Sequence, residues 1–109
     1  MKTVYVASPY THGDAALNVR AQIEAAENLV GIGYLPYVPL LDHLWHLMSP
    51  HGYEYWASMS LAWLELCDAV LRLPGESAGA DAEVARALEL GMPVYYSIGE
   101  LQRANNVES

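Results

Sequence analysis

Glu83 is the residue whose type and setting most readily do chemistry. It ends the segment Ser77-Ala78-Gly79-Ala80-Asp81-Ala82-Glu83, just after the apolar run Asp68-Ala69-Val70-Leu71-Arg72-Leu73. The run reads as a buried strand closed by Pro74-Gly75, and Ala80 to Leu90 reads as a helix. Small residues at the carboxyl end of a strand bring backbone N–H groups close to an anion at the helix N-terminus. Glu83 lies in the first turn and faces the same mouth. A carboxylate can attack an anomeric carbon, because nearby negative charge stabilises the oxocarbenium-like transition state. A phosphate-sized cradle beside a carboxylate points to an enzyme acting on a phosphorylated or sugar-bearing small molecule. An ordinary strand–turn–helix, with an acidic first turn complementing the helix dipole, fits the same residues. Asp81 is two positions from Glu83 and does not share its face, so it is expected in solvent.

Tyr5 and Tyr10 stand on either side of the first loop, Ser8-Pro9-Tyr10. Tyr5 alternates with Val4 and Val6 and either packs in the core or uses its hydroxyl to orient Glu83, since a buried phenol needs a partner. Tyr10 is placed as a pocket wall. His43 and His46, in Asp42-His43-Leu44-Trp45-His46, are the one metal-like pair, but no companion ligand motif follows; no metal and no cofactor are expected. Trp45, Trp56 and Tyr53 read as amphipathic helix residues lining a base-sized slot or a subunit contact. Trp63 and Cys67 are read as core, and Arg20 as part of a solvated helix face.

These residues need elements to hold them. Thr3 to Ala7 is β-branched and aromatic, a strand buried on both faces. Ala15 to Ile32 is a helix with Leu17, Ala21, Ala25, Leu29 and Ile32 at helical spacing; Asp14 caps it and Gly31 and Gly33 stop it. Leu35 to Pro39 is a second strand, with two prolines that suggest an edge. Leu40 to His51 gives one or two helical turns, then a loop. Tyr53 to Leu66 is a helix, Pro93 to Ser97 a fourth strand, Gly99 to Asn105 a short last helix, and Asn106 to Ser109 a frayed end. Strands alternating with helices imply a parallel sheet covered on both faces. The expectation is a flavodoxin-like three-layer α/β sandwich of four to five parallel strands, order 2-1-3-4, forming one domain over residues 1–109. In such a sheet ligands bind beyond the carboxyl ends of the strands at the switch point. That brings Ala7-Ser8-Pro9-Tyr10 beside Gly75-Glu76-Ser77-Ala78-Gly79.

The chain has 109 residues, 53% hydrophobic and only 17% charged, so apolar faces are expected between subunits. The helix Tyr53 to Leu66 carries more apolar surface than one sheet face buries, and a homodimer or tetramer is expected there. The net charge of −8 disfavours nucleic-acid polymers and anionic membranes, though not a single nucleotide. One cysteine fits a reducing, cytoplasmic compartment. Lys2 runs straight into a strand, so no signal peptide is expected, and no apolar run reaches transmembrane length.

Val4-Tyr5-Val6-Ala7-Ser8-Pro9-Tyr10, Cys67-Asp68-Ala69-Val70, Ser77-x-Gly79-x-x-x-Glu83 and Leu90-Gly91-x-Pro93-Val94 occur in that order along nearly the whole chain. Together they resemble the nucleoside 2-deoxyribosyltransferase superfamily, including the nucleoside 5′-monophosphate N-glycosidases. The resemblance implies a flavodoxin-like fold, an oligomer, and a nucleoside or nucleotide substrate. It implies that Glu83 attacks the anomeric carbon, that Tyr5 positions it, that Ser77 and Gly79 form a phosphate-binding turn, and that Ser8 belongs to the loop after the first strand. One position departs. Ser60 stands where the family has an Asp that protonates the leaving base or holds the sugar, and a hydroxyl cannot replace a carboxylic acid in that role. Weak catalysis, a substitute acid such as Asp42 or Glu54, or a non-catalytic nucleotide-binding module all follow from that departure. The site expected is thus Glu83, Tyr5 and Ser60 for catalysis, with Ser8, Pro9, Tyr10, Ser77, Gly79 and Trp45 holding the substrate.

Overall fold

The computed structural model describes residues 2–108. The chain alternates strand and helix: β1 (Thr3–Ala7), α1 (Ala15–Gly31), β2 (Leu35–Tyr37), a 3-10 turn (Pro39–Leu41), α2 (Asp42–Met48), α3 (Tyr53–Glu65), β3 (Ala69–Arg72), α4 (Ala78–Glu89), β4 (Val94–Tyr95) and α5 (Ile98–Glu108). Among the described residues the strands form one all-parallel sheet in the order β2-β1-β3-β4. This is the α/β, flavodoxin-like arrangement that the alternation implies. The last helix runs on to Glu108, past the expected end at Asn105. Of the residues expected to fray, Asn106 to Glu108 belong to that helix, and Ser109 lies outside the described residues.

Alternation along β1 builds two cores. Val4 and Val6 point to one face and join Ala25 and Leu29 of α1, Leu71 of β3 and Leu101 of α5. Tyr5 and Ala7 point to the other and join Leu64 of α3, Val70 of β3, and Ala80 and Ala87 of α4. The sheet is therefore the middle of three layers. Register is fixed at the amino ends of β1 and β3, where Thr3 N–H donates to Asp68 Oδ2 at 2.8 Å and Asp68 N–H donates to Thr3 Oγ1 at 3.0 Å.

Local signals held in several places. Asp14 Oδ1 accepts from the N–H of Ala16 and Leu17 at 2.9 and 3.2 Å and caps α1. The buried stripe of α1, however, is Gln22, Ala25 and Leu29, while Leu17 is 61% exposed. Trp63 is not core. Only Leu64 of α3 is fully buried against the sheet, and Trp63, one position round the helix, is half-exposed and stacks on Tyr37 with centroids 5.2 Å apart. Cys67 is partly buried against the second core, and Arg20 pairs with Glu24 in solvent. Among the described residues no helix is long and apolar enough to cross a membrane.

Candidate functional site

The parity of β1 decides what its tyrosine can touch. Tyr5 is fully buried on the α3/α4 side, so its hydroxyl runs toward the start of α4. There it donates a hydrogen bond to Oε2 of Glu83. Burial pushes the Tyr5 phenol far above its ordinary range, and the Glu83 charge and hydrogen bond push the same way. The Ser60 hydroxyl, from α3, works against the rise. Glu83 is itself pushed up to about 7 by burial, opposed by the Tyr5 hydrogen bond and the Arg72 charge. A carboxyl that changes charge near neutrality is the usual condition of a catalytic acid, base or nucleophile.

Glu83 opens onto a cleft of about 950 Å³ at the carboxyl ends of the strands. That volume holds a ligand of nucleotide size. The loop after β1 contributes Ser8 and Tyr10, α3 contributes Ser60, and the start of α4 contributes Gly79 and, just before the helix, Ser77. The switch-point topology thus gathers these expected residues around one mouth. Ser77 is the N-cap of α4: its Oγ accepts from Ala80 N–H at 3.0 Å, and its carbonyl accepts from Asp81 N–H at 3.0 Å. Helix geometry leaves the N–H groups of Ala78 and Gly79 without a partner inside the helix. A Cβ on Gly79 meets only Ser77 Oγ, at 3.9 Å, so the protein itself does not require glycine there.

Two expected binding residues sit elsewhere. Pro9 is absent from the cleft lining and packs on the turn after β3: a Cβ on Gly75 would stand 2.7 Å from Pro9 Cγ. Gly75 has φ +119°, which only glycine tolerates readily. Pro9 therefore joins the two loops that frame the site. Trp45 is half-exposed and edge-on to Trp56 at 5.7 Å; it is Trp56 that lines the cleft.

Three other residues shape the site. Arg72, 8% exposed, ends β3. Its guanidinium donates to the carbonyls of Leu73 and Gly75 and, at 3.0 Å, to Asp81. This fork staples the turn that precedes α4, and it gives Asp81 a partner instead of leaving it simply solvated. A lone charge inside an apolar strand run was the available signal. Gln22, buried on α1, donates to Val6 O at 2.9 Å and to Ser8 Oγ at 2.8 Å, and accepts from Leu40 N–H at 2.9 Å. It ties the end of β1 to the 3-10 turn that follows β2 and leaves the Ser8 hydroxyl proton free to point elsewhere. Asp42, the first residue of α2, lines the cleft, and burial pushes its carboxyl up.

The histidines serve the cleft wall. His43 Nδ1 is hydrogen-bonded to the Tyr10 hydroxyl. His46 Nδ1 accepts from Trp56 Nε1 at 2.9 Å and from His51 N–H at 3.2 Å, which puts the neutral ring's proton on Nε2. Among the described residues no group of three or more His, Cys, Asp and Glu could hold a metal ion.

The family model of DUF7768, a domain of unknown function, matches residues 2–97. The chain belongs to this family. The matched stretch includes Tyr5, Ser8, Ser60, Ser77, Gly79 and Glu83, so the whole cleft framework lies inside the DUF7768 domain. No curated protein matches the chain.

Proposed function

We propose that this DUF7768 protein cleaves the N-glycosidic bond of a nucleoside or nucleoside 5′-monophosphate, with Glu83 as the nucleophile. The observation that carries this reading is the Tyr5–Glu83 hydrogen bond at the base of a nucleotide-sized cleft. Tyr5 holds Oε2, which leaves Oε1 to attack C1′ of the sugar. The C1′–N bond breaks, its electron pair goes to the base nitrogen, and a glycosyl ester of Glu83 forms. Water then hydrolyses the ester, or an acceptor base takes the sugar. The order of motifs that resembles the nucleoside 2-deoxyribosyltransferases supports the same chemistry. Ser77, with the N–H groups of Ala78 and Gly79, suits a 5′-phosphate.

The oligomer belongs to this reading as well. Tyr53, Tyr55, Trp63 and Leu66 of α3 and its C-cap remain exposed, and a second copy of the chain is the proposed cover. Light scattering at micromolar concentration tests it, and a monomer overturns it. A cytoplasmic location is proposed from the lone thiol Cys67.

The deciding experiment incubates the protein with a panel of nucleosides and 5′-monophosphates and reads free base by chromatography. Base release by the wild type and none by Glu83→Ala is the expected result. If the wild type binds nucleotides but releases no base, the chain is a nucleotide-binding module, the reading that Ser60 in place of an acid favours.

A further inference from the structure

Asp42 Oδ2 is buried and has no hydrogen-bond partner, alone among the buried side-chain nitrogen and oxygen atoms described. Buried polar atoms are almost always satisfied, and an ionised oxygen with no donor is expensive. The group is cheapest as a neutral acid, with its other oxygen left to serve the cleft that Asp42 lines. The sheet order sets where that cleft-facing oxygen stands. The exits of β2 and β3 flank the exit of β1, so Asp42 and Glu83 reach the same cleft from opposite sides. Tyr37, at the end of β2, lies within electrostatic reach of both: burial, the Asp42 charge and the Glu83 charge help to push its phenol up to about 12.

A glycosidic bond needs this disposition, with a nucleophile at the sugar and an acid at the base. Ser60 offers no acid. We infer that Asp42 is the acid of this site, donating its proton to the leaving base as the C1′–N bond breaks. The inference rests on the glycosidic reading of Glu83. The balance closes. Glu83 forms the C1′–O bond, the base departs carrying the proton of Asp42, and Asp42 is left as a carboxylate. In the second step that carboxylate takes a proton from the attacking water as its oxygen displaces Glu83. The titratable groups that share the cleft or reach Asp42 include Tyr10, Tyr37, His43, His46 and Glu83. Among the described residues no Lys or Arg lines the cleft to pull the proton from Asp42.

The test compares wild type, Asp42→Asn and Glu83→Ala on two substrates. One is a purine nucleoside or 5′-monophosphate. The other is its 7-methylpurinium counterpart, whose base is already cationic and leaves without a proton. Read in a single turnover with the protein in excess, so that only the first step is followed, Asp42→Asn is expected to lose about 10²–10⁴-fold in the rate of base release on the ordinary purine, the usual worth of a general acid. It is expected to stay within about threefold of wild type on the methylated one, the difference that loss of proton donation alone predicts. The alkaline limb of the pH–rate profile should disappear with the acid. No partner is lost, so Tm should not fall. Equal loss on both substrates, or no loss on either, overturns the role of Asp42 while leaving Glu83 standing. If the wild type releases neither base, the reading of Glu83 fails and the role of Asp42 falls with it.

Discussion

The phenol of Tyr5 donates to the carboxylate of Glu83 across 78 positions of sequence, and burial holds both in an unusual protonation regime. Burial dominates for both, and the hydrogen bond moves them apart, raising Tyr5 and lowering Glu83. A nucleophilic Glu83 must be ionised, so base release should climb with pH through about 7. Tyr5→Phe removes the hydrogen bond that favours the carboxylate. The acidic limb of the pH–rate profile should move to higher pH, and the rate at pH 7 should drop. An unmoved limb would show that another group controls it.

The same burial has a stability consequence. The folded-state value of about 7 lies above the ordinary 4.5, so the folded chain binds this proton more tightly than the unfolded chain. Stability contributed by the neutral carboxyl is full below 4.5 and is lost as pH rises through 7. The shift corresponds to a cost on the order of 3 kcal/mol at alkaline pH. Glu83→Gln keeps an oxygen for the Tyr5 hydroxyl and never ionises. Its Tm should exceed that of wild type by several degrees at pH 8 and match it near pH 4.

Gly79→Ala separates phosphate recognition from folding. The added Cβ meets only Ser77 Oγ at 3.9 Å, and alanine is the better helix former by about 1 kcal/mol. The variant should fold at least as well as wild type. If a 5′-phosphate sits on the N–H groups of Ala78 and Gly79, the Kd of a monophosphate should rise while that of the matching nucleoside stays put. Calorimetric titration of both ligands checks this, and equal changes would refute the phosphate position.

Gly75→Ala should do the opposite and damage the fold. Its backbone has φ +119°, and the new Cβ would press to 2.7 Å from Pro9 Cγ. Strain of this kind costs about 1–3 kcal/mol, before the ring contact is counted. In a Pro9→Ala background the contact vanishes and the φ strain remains, so Gly75→Ala should cost less there. Urea unfolding of the four proteins of that cycle measures the difference.

Ser60→Asp places a carboxyl beside the Tyr5 phenol. In an Asp42→Asn background it is expected to restore part of the base release, because an acid returns to the cleft from α3. No recovery would show that this position does not face the leaving base.

The sequence made the sheet order legible because parallel strands joined by right-handed crossovers leave few alternatives. It also made Ser77, Gly79 and Glu83 legible as one strand–turn–helix segment, since they are local, but the helix starts at Ala78 and Glu83 stands in its second turn, not the first. What tertiary packing decided was not visible. Proline in a loop looks like a ligand wall until its neighbour is known, and Pro9 turned out to face Gly75. Trp63 sits among leucines in sequence, yet helical rotation carries it off the sheet. Gln22 stands one position past Ala21 of the expected stripe, yet it is Gln22 that is buried, and its amide binds the end of β1 to Leu40 of the 3-10 turn.

Trp56 gives the cleft a built-in optical reporter. Its indole lines the cavity and donates to His46 at 2.9 Å, while Trp45 and Trp63, the other two of the chain's three tryptophans, stay out of the lining. A ligand entering the cleft changes the polarity around Trp56, with Trp45 edge-on to it at 5.7 Å, while Trp63, stacked on Tyr37, supplies background. Occupancy and its kinetics are thus readable from intrinsic fluorescence without a label, and Trp56→Phe provides the blank.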